Sequence, residues 1–212
     1  MLEVNNLECI RGDRSLFSGL EFSLESGELL HLHGHNGSGK TTLLRTLCGL
    51  IAPTQGSVNW KGTNIRRQRD DYAADMLFLG HLNGIKADLT ALENLRILCQ
   101  LDGLDVSDKD IWQALEEMGL YGHEELPVRV LSQGQKRRVT LARLLLSKSS
   151  PLWLLDEPFT SLDKAAVDFL QTVIAGHVKQ GGLVILTTHQ DVSLTTGEVK
   201  QLRLGWKKDG DV

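Results

Sequence analysis

A glycine-rich loop at residues 34–41, with the sequence GHNGSGKT, constrains the fold of this chain more than any other feature. An apolar run over residues 28–33 predicts a β-strand before the loop, and leucines at positions 43, 44 and 47 predict a helix over residues 40–47 after it. Glycines let consecutive backbone N–H groups curl around phosphate oxygens, and the N-terminus of the following helix favours an anion. This strand, loop and helix predict an α/β domain that binds the phosphate chain of a nucleotide.

The last residues of the loop carry the side chains that would act on a nucleotide. We expect Lys40 to reach the β- and γ-phosphates and Thr41 to place its hydroxyl on Mg²⁺. The alternative interpretation is a glycine-rich turn without a ligand, which the strand-to-helix setting disfavours. The predicted nucleotide-binding residues of this segment are Gly34, His35, Asn36, Gly37, Ser38, Gly39, Lys40, Thr41 and Thr42.

Composition restricts the class of protein. The chain has 212 residues, enough for one α/β domain with a sizeable core, and a formal net charge of −4, which gives no general attraction to nucleic acid. It has no apolar run of the roughly 20 residues needed to span a bilayer, and its N-terminus lacks the pattern of a signal peptide. Its three cysteines form no Cys-x-x-Cys pair, so we expect reduced thiols. These features predict a soluble, cytosolic protein with no nucleic-acid partner and a frayed charged tail at residues 207–211.

The rest of the chain alternates between strand and helix patterns. Short runs bounded by glycine and polar residues predict strands, and two continuous apolar runs predict strands buried on both faces. The predicted strands, besides the one before the loop, cover residues 2–7, 21–24, 57–60, 151–155 and 182–186. Helical spacing of apolar residues predicts helices within residues 89–120, 133–147 and 166–177. A parallel-sheet core with a helical insertion accounts for this order.

Two carboxylates end the apolar strand predicted over residues 151–155. Asp156 is placed to hold Mg²⁺, and Glu157 to polarise an attacking water as general base. Ligands bind at the carboxyl ends of strands in open α/β sheets, so this position suits both roles. Alone, an apolar run followed by Asp-Glu more often marks only the end of a strand. The phosphate-binding loop upstream favours the functional interpretation.

A short segment at the start of a predicted helix indicates the family. Residues 131–135, with the sequence LSQGQ, resemble the LSGGQ signature of ATP-binding-cassette (ABC) ATPases. Taken alone, the serine would be interpreted as the N-cap of an ordinary helix. Residues 158–163 (PFTSLD) resemble the D-loop of the same family, and residues 187–189 (TTH) resemble its switch histidine. The order of these motifs identifies the chain as a member of the ABC ATPases.

The resemblance implies a fold and an assembly. The fold would be α/β: a P-loop NTPase (RecA-like) parallel-sheet core with an N-terminal antiparallel β subdomain and an inserted α-helical subdomain. Residues 1–212 would form a single ATP-binding domain, with the helical subdomain at about residues 81–147 and the remainder at about 1–80 and 148–212. Two copies would form a head-to-tail homodimer. Each ATP, with Mg²⁺, would lie between the phosphate-binding loop of one copy and the signature of the other.

The resemblance also assigns roles to individual residues. Glu157, His189 and His81 would be catalytic. Mg²⁺ would be held by Thr41 and Asp156, with His81 as a further candidate ligand. The signature residues, acting on the nucleotide of the partner copy, would be Leu131, Ser132, Gln133, Gly134 and Gln135. The D-loop would comprise Ser161, Leu162 and Asp163.

Three positions depart from the family pattern. Arg11 stands where members often carry an aromatic ring that stacks on adenine; a guanidinium can stack on a base, or Arg11 can simply be solvated. His81 stands where a glutamine normally touches Mg²⁺ and the attacking water, and a neutral imidazole can donate or accept a hydrogen bond there. Gln133 replaces the first glycine of the signature.

Several segments narrow the resemblance to a subfamily. Residues 79–81 (LGH), 84–86 (GIK) and 89–95 (LTALENL) resemble the ATP-binding subunit of the haem exporter of bacterial cytochrome c biogenesis. That resemblance implies integral membrane permease subunits and a haem chaperone as partners. It places the chain on the cytoplasmic side of the bacterial inner membrane, as a peripheral subunit. It implies ATP hydrolysis coupled to haem translocation or to release of a haem-loaded chaperone. The chain has no Cys-x-x-Cys-His motif, so haem handling would belong to the partners.

Three alternatives remain open. The chain could be the ATPase subunit of another ABC exporter, a soluble ABC ATPase of DNA repair or translation, or a nucleotide-binding regulatory module. Repair members need long coiled-coil arms, whereas this sequence has no sustained heptads, and translation members carry two cassettes in one chain. The glutamate at position 157 argues against a module without turnover.

Overall fold

The computed structural model describes residues 1–190 and 199–205, and its strands form two sheets of different kind. The first is antiparallel and consists of β1 (Leu2–Arg11), β2 (Arg14–Leu24), β4 (Gln55–Trp60) and β5 (Thr63–Asn64). Its strand order is β2-β1-β4-β5. The second is parallel and consists of β3 (Leu29–His33), β6 (Met76–Leu79), β7 (Leu152–Asp156), β8 (Leu183–Thr187) and β9 (Val199–Arg203). Its strand order is β6-β7-β8-β3-β9.

Seven α-helices connect and cover these strands in the described part of the chain. They are α1 (Lys40–Leu47), α2 (Arg69–Ala74), α3 (Ala91–Leu101), α4 (Asp108–Glu117), α5 (Gln133–Leu141), α6 (Arg143–Leu146) and α7 (Lys164–Lys179). Helices α3 to α6 lie between β6 and β7, as the predicted helical insertion requires. The predicted fold class, a parallel-sheet core with an antiparallel sheet and inserted helices, is confirmed. The boundaries proposed for the subdomains stay a prediction.

Side-chain caps fix where three of the inserted helices begin. Thr90, Ser107 and Ser132 each accept a hydrogen bond from the backbone N–H three residues later, and the side chain at that position bonds back to the cap. Such a capping box satisfies two N–H groups that the helix itself leaves unpaired. The signature serine is therefore a true helix cap, as the sequence alone allowed.

The element bounds confirm one helical prediction and correct another. The segment predicted to hold helices within residues 89–120 contains α3 and α4, with a turn after α3 at Gly103, whose φ is 73°. The single helix predicted over residues 133–147 is wrong, because the segment is divided at Ala142 into α5 and α6. No local pattern predicts β5, α2, β6 or β9.

The parallel sheet separates two hydrophobic cores, and the alternation along β3 assigns side chains to them. Leu29 faces the core shared with the inserted helices and α7, whereas Leu30 and Leu32 face the core shared with α1 and the antiparallel sheet. Residues of β7 and β8 are buried at every position, as expected for central parallel strands. Register pairs Asp156 with Thr187, so both lie at the carboxyl edge of the sheet.

A stacked aromatic pair closes the opposite end of the sheet. The rings of Trp153 and His177 lie 3.7 Å apart and within 2° of parallel, and the His177 ring covers Gly182, where any side chain would collide with it. Burial lowers the pKa of His177 from 6.5 to about 4. The fold therefore requires the neutral imidazole, and the corresponding stability is present above pH 6.5 and lost as the pH falls towards 4.

We expect His177→Phe to remove this acid sensitivity while keeping the stack. One pKa unit corresponds to about 1.4 kcal/mol, and after allowance for partial solvation the wild type should lose about 2 kcal/mol from this group as it titrates. Urea unfolding of both proteins at about pH 7 and about pH 4.5 measures the difference. An equal loss of stability in the two proteins would contradict the assignment.

Two further predictions concern the chain as a whole. The three cysteines, Cys9, Cys48 and Cys99, are free thiols, as expected from their spacing. No helix among residues 1–190 and 199–205 has both the length and the apolar character to cross a membrane. The tail predicted to fray, residues 207–211, lies outside the described residues.

Candidate nucleotide-binding site

The loop between β3 and α1 has the shape of an anion cradle. A side chain at Gly34 has no room, because its Cβ would lie 2.8 Å from the carbonyl oxygen of Leu204. Gly39, with a φ of 100°, directly precedes α1. The first turn of α1 contains no acidic residue, and within the described residues no capping side chain accepts a hydrogen bond from its N–H groups. Its N–H groups are therefore oriented for an anionic ligand.

Lys40 holds its ammonium group against this loop. Nζ donates to the carbonyl oxygens of Gly34 (2.6 Å) and His35 (3.3 Å) and lies 3.5 Å from Nε2 of His189. The side chain is largely buried. The single cation of the loop is thus placed next to the switch histidine, on the side where phosphate oxygens would enter.

Asp156 links the loop to two neighbouring strands. Thr41 donates to one carboxylate oxygen of Asp156 at 2.9 Å, and Thr187 donates to the other at 2.8 Å. Asp156 is 2% exposed. A hydroxyl and a carboxylate oxygen side by side are donors that Mg²⁺ prefers, together with phosphate oxygens and water. Thr41 and Asp156 therefore fit a Mg²⁺ ion whose remaining ligands would be phosphate oxygens and water.

Glu157 is held in an uncommon backbone conformation beside His189. Its φ is 51°, a left-handed value that costs free energy for a residue with a side chain. The N–H of Glu157 donates to the Thr187 hydroxyl at 2.9 Å, which helps to hold this conformation. Oε1 of Glu157 lies 3.4 Å from Nε2 of His189. A carboxylate and an imidazole thus meet at the carboxyl edge of the sheet.

A cleft of about 740 Å³ joins these groups. It brings together most of the loop, Asp156, Glu157, His189, Arg11 and His81, which the sequence placed far apart. The side chains of Arg11 and His81 are exposed at this cleft. Of the nine predicted loop residues, six line it: Asn36, Gly37, Gly39, Lys40, Thr41 and Thr42. The other three are Gly34, His35 and Ser38, and we expect their contribution from backbone N–H groups.

The signature lies apart from the loop of its own chain. None of the five signature residues lines the cleft in the described part of the chain. Ser132 caps α5, with its Oγ accepting from the N–H of Gln135 at 3.2 Å and its own N–H donating to Oε1 of Gln135 at 2.9 Å. Gly134 packs against the D-loop, because a Cβ there would lie 2.8 Å from the carbonyl oxygen of Ser161.

The D-loop leads into α7 and contacts α5, the helix that begins at the signature. Ser161 has a φ of 65° and lines the cleft, whereas Leu162 packs against the hydrophobic core. Asp163 caps α7 by accepting from the N–H of Ala166 at 2.9 Å and forms an ion pair with Arg138 of α5 at 2.7 Å. The hydrogen bond from Ala166, supported by Arg138, lowers the pKa of Asp163.

Two residues of the site were not assigned a role from the sequence. Thr187 bonds Asp156 and the backbone of Glu157, and its position one strand away could have been found from the pairing of the two predicted buried strands. Arg137 of α5 donates to the carbonyl oxygens of both Asp156 and Glu157, and no sequence pattern signals this contact.

Three histidines lie in the loop or in the strand before it. The rings of His31 and His33 lie 3.7 Å apart on one face of β3, and burial lowers the pKa of each. The lower pKa keeps both rings neutral at neutral pH. Nδ1 of His35 lies 2.8 Å from the carbonyl oxygen of Asn36 within the loop.

Comparison with known proteins gives consistent results. Residues 17–160 match the family model of the ABC transporter. The cytochrome c biogenesis ATP-binding export protein CcmA of Dechloromonas aromatica is 56% identical over 205 residues, which cover 97% of this chain and 100% of that protein. The protein of the same name from Nitrosospira multiformis is 53% identical, covering 96% of this chain and 98% of that protein.

Solved structures agree with the fold. A putative ABC transporter ATP-binding protein from Pyrococcus furiosus superimposes with a TM-score of 0.80 at 26% identity, covering 96% of each chain. A dimeric ATP-binding cassette in a post-hydrolysis state, bound to ADP and Pi, superimposes with a TM-score of 0.82 over 98% of each chain; at 22% identity it supports the fold alone. The family resemblance seen in the sequence is confirmed. This chain is an ABC ATPase, and it belongs to the ABC transporter family among the cytochrome c biogenesis ATP-binding export proteins.

Proposed function

We propose that the chain hydrolyses ATP in the cleft, with Glu157 as the general base. The observation that carries this proposal is the meeting of Glu157, His189 and Lys40 at one edge of the sheet, with distances of 3.4 and 3.5 Å between their functional atoms. Glu157 would accept a proton from the attacking water, and His189 would contact the γ-phosphate from the adjacent strand end. Lys40 would bind the β- and γ-phosphate oxygens.

Further groups around this centre would complete the binding site for the nucleotide. Thr41 and Asp156 would hold Mg²⁺, which neutralises charge on the β- and γ-phosphates when bound. Arg11, exposed at the cleft, would stack its guanidinium on the base. His81 would hydrogen-bond in place of the family's glutamine, from the rim opposite the loop. These assignments stay predictions for this chain.

The active form would be a head-to-tail homodimer. The signature residues do not line the cleft of their own chain, so we expect them to act on a nucleotide held by a second copy. Helix α5 begins at the Ser132 cap and has no acidic residue in its first turn. Such a terminus favours the γ-phosphate of the partner's ATP. Two solved structures of one cassette with this fold are described as dimeric.

Closing of this dimer on ATP and its opening after hydrolysis would drive export in cytochrome c biogenesis, the process named for the relatives. As the sequence resemblance implies, the cargo would be haem, moved across the inner membrane or released on a haem-loaded chaperone. Membrane attachment would be peripheral and on the cytoplasmic side, through integral membrane permease subunits.

A groove between the sheet and the inserted helices supports contact with such subunits. Its volume is about 500 Å³, and near His81 it is lined by the apolar side chains of Phe78, Leu82 and Leu98 together with polar and charged ones. Leu82 lines the groove with 82% of its surface exposed, and Leu101 on the neighbouring α3 is 78% exposed. Exposed leucines beside a groove are typical of a protein interface.

Affinity purification from detergent-solubilised membranes tests the proposal. Wild-type chain should recover the permease subunits and the haem chaperone, and Leu82→Asp should reduce that recovery by about tenfold, because a carboxylate would be buried in the interface. Tyr121→Asp is the matched control, since Tyr121 is 79% exposed outside the groove. Equal recovery by both variants would reject the groove as the contact site for membrane subunits. Recovery of ribosomes or DNA in place of membrane subunits would reject the export function.

A further inference from the structure

Arg137 is a buried cation that contacts the catalytic edge from the signature helix. It lies in the second turn of α5 and is 4% exposed. Nη1 donates to the carbonyl oxygen of Gly80 at 3.2 Å and to Oδ1 of Asn83 at 3.3 Å. Nη2 donates to the carbonyl oxygens of Asp156 at 3.2 Å and Glu157 at 2.9 Å. One planar guanidinium thus joins three segments that are distant in sequence.

These contacts fix the backbone at Glu157. The left-handed φ of Glu157 persists only if surrounding groups fix it. Thr187 fixes its N–H, and Arg137 fixes its carbonyl oxygen. The position of the Glu157 carboxylate therefore depends on where Arg137 places the peptide.

The same side chain also fixes the segment that carries His81. Gly80 precedes His81, and Asn83 follows it by two residues; both contact Nη1 of Arg137, although the His81 side chain itself is exposed. Thr140, one turn further along α5, donates to the carbonyl oxygen of Asn83 at 3.1 Å. A movement of α5 would thus shift the His81 segment and the Glu157 peptide together.

A fork-shaped cation is required for this arrangement. Burial lowers the pKa of Arg137, and the nearby charges of Asp156 and Glu157 oppose that effect. Arginine has donors on two separate nitrogens in one plane, whereas lysine offers a single ammonium that cannot reach both sets of acceptors. The geometry therefore selects arginine over a simple positive charge.

We propose that Arg137 is a positioning residue that couples the two ATP sites of the dimer. The inference rests on the head-to-tail dimer proposed above. When the N-terminus of α5 engages the ATP of the partner copy, Arg137 transmits the position of α5 to Glu157 and the His81 segment of its own site. Each site then reaches its catalytic arrangement only after the other has bound ATP.

Arg137→Lys tests this coupling through steady-state hydrolysis at varied ATP concentration. The wild type should show a Hill coefficient above one. The variant should lose about 10- to 100-fold in kcat, the scale of a misplaced catalytic group, and its Hill coefficient should fall to about one. ATP affinity, measured with a fluorescent analogue under monomeric conditions, should stay within about twofold, because Arg137 does not contact the loop at residues 34–41.

A matched control separates this effect from the weakening of another buried arginine's contacts. Arg143 of α6 is 8% exposed and forms a two-pronged ion pair with Asp102. Asp102→Asn weakens that pair at a residue that lines neither the cleft nor the groove, and it should lower the melting temperature but leave kcat and the Hill coefficient unchanged. Asn83→Ala removes a single Nη1 contact and should lower both quantities by a smaller factor, which keeps the test valid if Arg137→Lys folds poorly.

The outcomes are distinct. Unchanged kcat and Hill coefficient in Arg137→Lys would overturn the proposal, and so would a wild type without cooperativity. A fall in kcat with the wild-type Hill coefficient would show positioning without coupling and would also overturn it. The dimer itself is tested separately. Glu157→Gln should dimerise with ATP, and the double variant Glu157→Gln with Arg137→Lys should dimerise with a dissociation constant within about twofold of that of Glu157→Gln. Absence of a dimer in Glu157→Gln would reject the proposed function instead.

Discussion

Glu157→Gln should bind ATP with wild-type affinity and lose turnover by about 100-fold or more, the scale of general-base catalysis. Glutamine has the size of glutamate, and the backbone contacts from Thr187 and Arg137 to this residue do not involve its side chain. The change therefore removes the proton acceptor and leaves the cleft in place. Phosphate release at saturating ATP measures turnover, and a fluorescent nucleotide measures affinity.

A matched variant controls for the loss of a carboxylate. Glu28 is a half-buried glutamate that pairs with Lys200 at 2.6 Å and does not line the cleft. Glu28→Gln should keep turnover within about twofold, because it lies outside the catalytic edge. Wild-type turnover in Glu157→Gln would remove Glu157 from the role of base and leave His189 as the group to test.

Ser132→Arg should abolish turnover, again by about 100-fold or more, while the isolated chain still binds ATP within about twofold. The reason is geometric: Ser132 is exposed at the N-terminus of α5 and lies outside the cleft of its own chain. An arginine there would block the approach of a second copy and its nucleotide. Light scattering with and without ATP, in the Glu157→Gln background, should show the dimer lost.

Ser107→Arg controls for the loss of a helix cap. Ser107 caps α4 through the same reciprocal arrangement that Ser132 makes on α5. Both substitutions should therefore cost about 1 kcal/mol of stability, whereas only Ser132→Arg should affect turnover. If Ser132→Arg also weakened ATP binding by the monomer, the signature would act in its own chain and the head-to-tail arrangement would be wrong.

The sequence predicted that the proposed site residues converge, because they stand in short segments that directly follow strands. The loop, Asp156, Glu157 and His189 each follow a buried strand, so their convergence follows from the parallel sheet. Central strands β7 and β8 were predictable for the same reason, since burial on both faces leaves a continuous apolar run.

Other parts depend on contacts that no local pattern contains. Strand β9 is half-buried with polar residues, and it is recognisable only by its pairing with β3. Arg137 is one of three adjacent basic residues on a helix, a pattern typical of a solvated face. Its burial arises because the chain brings the segments at residues 80–83 and 156–157 against α5, which is a tertiary property.

The lysine of the phosphate-binding loop has a consequence for how tightly a nucleotide can be held. The ammonium of Lys40 already has two carbonyl acceptors in the protein itself. An ammonium has three N–H donors, so the two carbonyl oxygens leave one donor for a phosphate oxygen and hold the side chain in place for it. A nucleotide bound here would therefore lose little side-chain conformational entropy in ordering Lys40. The loop would be organised for its ligand before the ligand arrives.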